Sequence, residues 1–163
     1  MARQRDSSSV PSPIITLEQV NDILVEGLGA LGALGGGAGA GGAGASGGAQ
    51  GGRLGARLTK LDGEQQMYSS PSSDAHRQTV QDDFFGGTEY VKTDEESGPG
   101  EPILKMVGVV GSGAMNMNPC VVQLVWSARE LHAYAHAKEG LIKQRTCAKA
   151  LLRLGDVLNG AGH

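Results

Sequence analysis

Apolar side chains first recur at helical spacing at Leu17, Val20, Leu24, Leu28 and Leu31, while Glu18, Asp22 and Glu26 share another face. That period predicts an amphipathic helix from about 17 to 31, within a segment spanning 16–34. Thr16 followed by Gln19 matches a capping box at its start. The pattern then dissolves, because fourteen of the twenty-six residues from 27 to 52 are glycine. Glycine raises the entropic cost of any fixed conformation, so this run reads as a flexible tether. Leu54, Leu58 and Leu61 suit one short helical turn, and Ser69–Ser73 around Pro71 reads as linker.

Between residues 35 and 100 the large apolar side chains are only Leu54, Leu58, Leu61, Met67, Tyr68, Val80, Phe84, Phe85, Tyr90 and Val91. Their burial cannot offset the entropy of ordering so much backbone. A disordered segment 1–15 and a flexible, Gly-rich and acidic linker over 35–100 are therefore expected. The acidic stretch Asp94–Ser97, closed by Gly98, Pro99, Gly100 and Pro102, marks the start of a C-terminal module.

Past that boundary the pattern changes. Ile103–Val110 and Val121–Trp126 are short apolar, partly β-branched runs that suit strands. Leu131, Ala133, Ala135 and Ala137 alternate with His132, Tyr134, His136 and Lys138, a period of two that predicts a third strand with one solvated face. Alanine content and a second possible capping box, Ser127 with Glu130, pull toward helix instead. The alternation is preferred, with Ser127–Glu130 as a four-residue hairpin loop. From Leu141 the period becomes helical: Gln144, Cys147, Leu151, Leu154 and Leu158 form one stripe, Arg145, Lys149 and Arg153 another, and Gly160 and Gly162 end the segment.

The expected fold class is α+β. A small antiparallel sheet of about three strands with one packed C-terminal helix occupies 101–159, before a tail at 160–163. A mostly disordered Gly-rich N-terminal half with one amphipathic helix precedes it. A module this small buries a modest share of its apolar surface. It is expected to recruit the helix at 17–31, a second copy of itself, or another protein.

Charge refines this picture little. The net charge of −3 divides into seven Lys/Arg against thirteen Asp/Glu over 1–100, and seven against four over 101–163. Such asymmetry permits an acidic tail to fold back on a mildly basic module, or the module to meet a phosphate-bearing partner, and demands neither. Cys120 and Cys147 are too far apart in sequence for a disulfide framework or CxxC zinc site, and are expected as buried thiols. No run reaches the roughly 18 apolar residues of a membrane span. A cytoplasmic protein is expected; the Arg and Ser residues at the start, set against Asp6, leave organelle targeting open.

Candidate chemistry is sparse. Val107-Gly-Val-Val-Gly-Ser-Gly-Ala-Met-Asn116 resembles the first strand and phosphate loop of nicotinamide-dependent dehydrogenases, with Gly111 and Gly113 matching the first two glycines. The resemblance implies a helix after the loop. Asn116 stands at the third glycine, however, Pro119 interrupts that helix, and Val121–Trp126 reads as strand. A turn between two strands is preferred, and no cofactor is expected. His132 and His136 on a strand lie about 13 Å apart, too far for one metal ion. On a helix they would form an HxxxH pair, but Ala133 stands where the Glu of HExxH belongs, and no metal site is expected. Cys147 in an apolar stripe reads as inert, there is no Gly-x-Ser-x-Gly elbow, and no catalytic residue is assigned.

The stripe of Lys138, Lys143, Arg145, Lys149 and Arg153 offers contacts for nucleic acid or anionic headgroups, although a solvated face is the simpler reading. Only Trp126 and Tyr134 are available to stack bases. The polar knot Asn116-Met-Asn118-Pro119 reads as a loop that, with Gly111–Gly113, lines a contact surface at one end of the sheet. The expected interaction surface thus comprises Asn116, Asn118, His132, Tyr134, His136, Arg145, Lys149 and Arg153. The expected function is a non-enzymatic protein-interaction or assembly module, self-associating or bound to a protein partner. A small ligand-binding protein or enzyme using 111–118 is the first alternative, and a weak nucleic-acid binder through the C-terminal helix the second.

Overall fold

A computed structural model describes residues 11–69, 74–86, 92–96, 103–112, 118–127, 130–140 and 144–160. Helix α1 (Leu17–Leu58) leads into strand β1 (Lys60–Ser69), short helix α2 (Asp74–Thr79) and a π-helical turn (Val80–Phe84). Strands β2 (Lys92–Glu96), β3 (Ile103–Ser112), β4 (Asn118–Trp126) and β5 (Glu130–Glu139) come next, then helix α3 (Thr146–Gly160). The chain is α+β, built on one antiparallel sheet in the order β1-β5-β4-β3-β2.

The three strands expected from apolar patterning form the centre of the sheet. Ser127 closes the β4–β5 hairpin, its N–H donating to Glu130 O at 2.8 Å and its hydroxyl to the same oxygen at 3.1 Å. The segment likened to a phosphate loop lies between two antiparallel neighbours, β3 and β4, so a strand and not a crossover helix follows it; the expected turn falls largely on residues 113–117, outside the described residues. The edge strands β1 and β2 come from the stretch expected as linker, which also contributes the second half of α1, α2 and the π-helical turn.

One face of the sheet carries the main core. Met106, Cys120, Val122, Leu124, Trp126, Leu131 and the alanines of β5 meet Cys147, Ala150, Leu151, Leu154 and Leu158 of α3, together with Val80, Phe84 and Phe85. Of the expected stripe, Cys147, Leu151, Leu154 and Leu158 bury, while Gln144 is exposed and precedes the helix. The helix starts only at Thr146, because Arg145 sits at φ 55° and the Glu139 carboxylate accepts the Thr146 N–H at 2.7 Å.

The opposite face, expected to be solvated, is covered. Val20 and Leu24 of α1 pack on Val107 and Val121, with Ile14, Ile15 and Ile23 at the margin. Thr16 forms the capping box with Gln19 as expected, but Leu17 points outward, 60% exposed. The module has therefore recruited its own N-terminal helix.

Helix α1 is longer than its apolar pattern and is not a straight rod. At 1.5 Å per residue a straight helix would hold Glu26 and Arg53 about 40 Å apart. Arg53 Nη2 instead lies 2.8 Å from Glu26 Oε2. The segment doubles back through its Gly-rich middle, and its two arms touch at backbone distance: a Cβ on Gly52 would fall 2.5 Å from Leu28 O. Glycine here serves close approach, which offsets its poor helix propensity.

Candidate functional site

The expected interaction residues separate into groups with different fates. His132, Tyr134 and His136 do share one face of β5, but that face lies under the N-terminal segment. The Tyr134 hydroxyl donates to Pro11 O, and burial raises its pKa. His136 is half-buried against Gly63, where a Cβ would meet its Cδ2 at 2.9 Å, and desolvation lowers its pKa. His132 Nε2 sits 3.2 Å from Glu130 Oε2. Tyr134 and His136 are thus engaged within the fold, whereas His132 keeps partial exposure and, with Tyr134, lines a small cavity beside Gln65–Met67.

Between them lies a residue the apolar pattern concealed. Gln123, in the middle of β4, is wholly buried, and its Oε1 accepts the N–H groups of both Ile14 and Ile15 at 2.8 Å. This bifurcated acceptor straps residues 14–15 to the sheet. A glutamine inside an apolar strand run is itself the sequence signal for such a role, since a buried amide requires a partner.

The basic residues of α3 divide likewise. Arg153 Nη2 donates to Asp83 O at 2.8 Å, and its guanidinium lies 5.7 Å from the Phe84 ring centroid, so it fastens the π-helical turn. Arg145 and Lys149 are exposed. Asn116 lies outside the described residues. Asn118 opens β4, and its amide donates to Gln144 Oε1.

Asn118 and Gln144 border a cavity of about 280 Å³ between the arms of α1 and the start of α3, which Gly52, Thr59, Glu139 and Thr146 also line. Glu139 spends one carboxylate oxygen on the Thr146 N–H; the other is buried without a hydrogen-bond partner. Among the described residues no three His, Cys, Asp or Glu side chains gather as metal ligands. None of the described helices is long and apolar enough to cross a membrane.

A further open feature lies at β1, which sequence reasoning missed. Among the described residues this ten-residue strand pairs with β5 alone and ends the sheet. Glu64, Gln65, Gln66 and Met67 are all exposed, Met67 to 56%. Beside it a groove of about 800 Å³ runs between β1 and α3, lined by Met67, Tyr68, Leu151 and Leu152 among others. The Tyr68 hydroxyl donates to Leu151 O at 2.6 Å, and burial pushes its pKa up to about 12, which anchors the strand to α3. Gly155 lies in contact with the Tyr68 ring, and a Cβ there would reach Cε1 at 3.4 Å.

Comparison with protein-family models, curated proteins and solved structures finds no match to this chain.

Proposed function

We propose that this chain is a non-enzymatic assembly module that joins a second copy of itself along the outer edge of β1. The observation that carries the reading is a ten-residue edge strand with exposed side chains, lying beside a groove of mixed polar and apolar lining. An unpaired strand edge is a template for a further strand, and natural proteins commonly blunt such edges unless they use them.

The sequence of β1 favours a copy of itself as the added strand. Antiparallel pairing centred on Gln65, which then faces its own copy, sets Leu61 against Ser69, Asp62 against Tyr68, Gly63 against Met67 and Glu64 against Gln66. Nine of the ten residues pair, and no like charges oppose each other. Such a contact is isologous and closes after two copies. We place this assembly in the cytoplasm, whose reducing conditions suit the two free thiols.

Light scattering on the full-length protein across a concentration series tests this, with a dimer expected. Gln65 and Gln66 direct their N–H groups to opposite edges, so one of Gln65→Pro and Gln66→Pro breaks the ladder to β5 while the other removes only an outward donor. The outward variant should stay folded and become monomeric. A folded, monomeric native protein at every concentration, or a dimer that survives both replacements, would overturn the reading.

One observation supports a second reading, a small ligand bound beside Asn118. The unpartnered Glu139 oxygen seeks a donor, which a small amine or polyol would bring. A rise in melting temperature with such compounds, lost in Glu139→Gln, tests it. A nucleic-acid surface draws less support, because Arg153 is occupied within the fold.

A further inference from the structure

Helix α3 lies against β1 on the main-core face of the sheet, and two hydrogen bonds fix how it lies. The Cys147 thiol donates to Asp62 O at 3.7 Å near the start of both elements, and the Tyr68 hydroxyl donates to Leu151 O at 2.6 Å further along both. The helix therefore advances in the direction of the strand, and Gly155 reaches the Tyr68 ring. Leu152, on the wall of the groove beside β1, is 67% exposed. Lys149 and Asp156 are exposed on either side of it, about 4.5 and 6 Å away along the helix axis. Neither forms an ion pair among the described residues.

We infer that Leu152 is the centre of a second contact between two copies of this chain, in which α3 of one packs antiparallel against α3 of the other above the joined β1 strands. The contact rests on the β1 self-pairing proposed above. The two-fold axis of that pairing passes through Gln65, midway between Asp62 and Tyr68, the two residues that hold α3. Standing across the sheet, it keeps both helices on one face, reverses one against the other, and runs abreast of the stretch between Cys147 and Gly155 that contains Leu152. Symmetry then sets Leu152 toward its own copy and brings Lys149 of each helix level with Asp156 of the other, to within about 1.5 Å along the axis. Opposite charges thus flank an apolar pair on both sides, the arrangement of an antiparallel helix seam. The strand ladder alone is about 30 Å long and one strand spacing wide. That falls short of the roughly 800 Å² each partner of a stable complex buries, and the helix contact supplies the remainder.

The test is analytical ultracentrifugation of the full-length protein and of exposed-site variants whose folding is checked by circular dichroism. Leu152→Lys should raise the dimer Kd by about tenfold or more, because it sets two ammonium groups at the axis. Lys149→Glu and Asp156→Lys should each raise it about threefold or more, and the variant carrying both exchanges should return to within about twofold of the native value. A native dimer indifferent to Leu152→Lys would overturn the helix contact and leave the strand pairing standing. So would single reversals that weaken the dimer and are not rescued by the double exchange. A dimer that needs Leu152 yet survives both Gln65→Pro and Gln66→Pro would also overturn it, since the helices would then meet about some other axis. A native protein that stays monomeric at every concentration would remove the strand pairing and the helix contact together.

Discussion

The ring of Phe85 occupies the space that a side chain on Gly108 would need. A Cβ built on Gly108 would lie 2.3 Å from Phe85 Cδ1 and 2.4 Å from Cε1. The ring is itself wedged by Phe84, edge-on at 5.0 Å between centroids. Gly108→Ala should therefore displace Phe85 and destabilise the fold by about 1–3 kcal/mol. Urea denaturation would show it, whereas Gly140→Ala, with open space around it, should shift stability by less than about 0.5 kcal/mol.

Gln123 offers the second prediction. Gln123→Leu keeps the volume but removes the oxygen that accepts the Ile14 and Ile15 N–H groups. It should cost about 2–4 kcal/mol, since each stranded donor carries a penalty of about 1–3 kcal/mol. Hydrogen exchange at Ile14 and Ile15 should accelerate while that of β3 and β4 holds. Unchanged protection at both amides would contradict the strap.

The pH dependence follows from His136. Burial favours its neutral form, so its folded pKa lies below the unfolded value near 6.5. The unfolded chain then binds the proton first as pH falls. Stability is complete above about pH 6.5 and declines as pH drops through the window down to the folded pKa. Chemical denaturation at pH 7.5 and 5.5 should show a loss that shrinks in His136→Gln. The residues beside it in register, Gly63 and Val121, carry no charge to mask the effect.

Two neighbouring glycines of α1 should respond in opposite directions. Gly52→Ala drives a methyl against the backbone oxygen of Leu28 and should part the two arms, costing about 1–3 kcal/mol despite its better helix propensity. Gly51→Ala meets nothing within 4 Å and should stabilise by about 0.5–1 kcal/mol. Thermal melts of the two variants check the contrast.

The contrast also explains what was legible in the chain. Strands β3, β4 and β5 and helix α3 could be read because their burial writes a period of two, a continuous apolar run or a period near 3.6 into the residues themselves. Strand β1 writes no such pattern: Asp62-Gly-Glu-Gln-Gln66 is polar on both faces, and β5 supplies its hydrogen bonds. The returning arm of α1 was concealed for a related reason, since propensity counts the cost of glycine and not the close packing that glycine permits. Both partners on the covered face of the sheet, Val20 with Leu24 on α1 and Val107 with Val121 on β3 and β4, were visible, but nothing local says that they meet. Of the eight residues expected to face a partner, Tyr134, His136 and Arg153 are engaged inside the fold. Gln123 and Glu139, each holding a backbone N–H from elsewhere, passed unnoticed.

The pairing of Lys60 with Glu139 carries a consequence for synthesis and folding. Strands β3, β4 and β5 join sequential neighbours through short connections, so they can zip as soon as they emerge. Strand β1 is made early and must wait for a partner almost eighty positions downstream, a contact whose closure is entropically slow. It should be the last strand to dock, and a nascent chain stalled before β5 would hold a completed strand with neither edge satisfied.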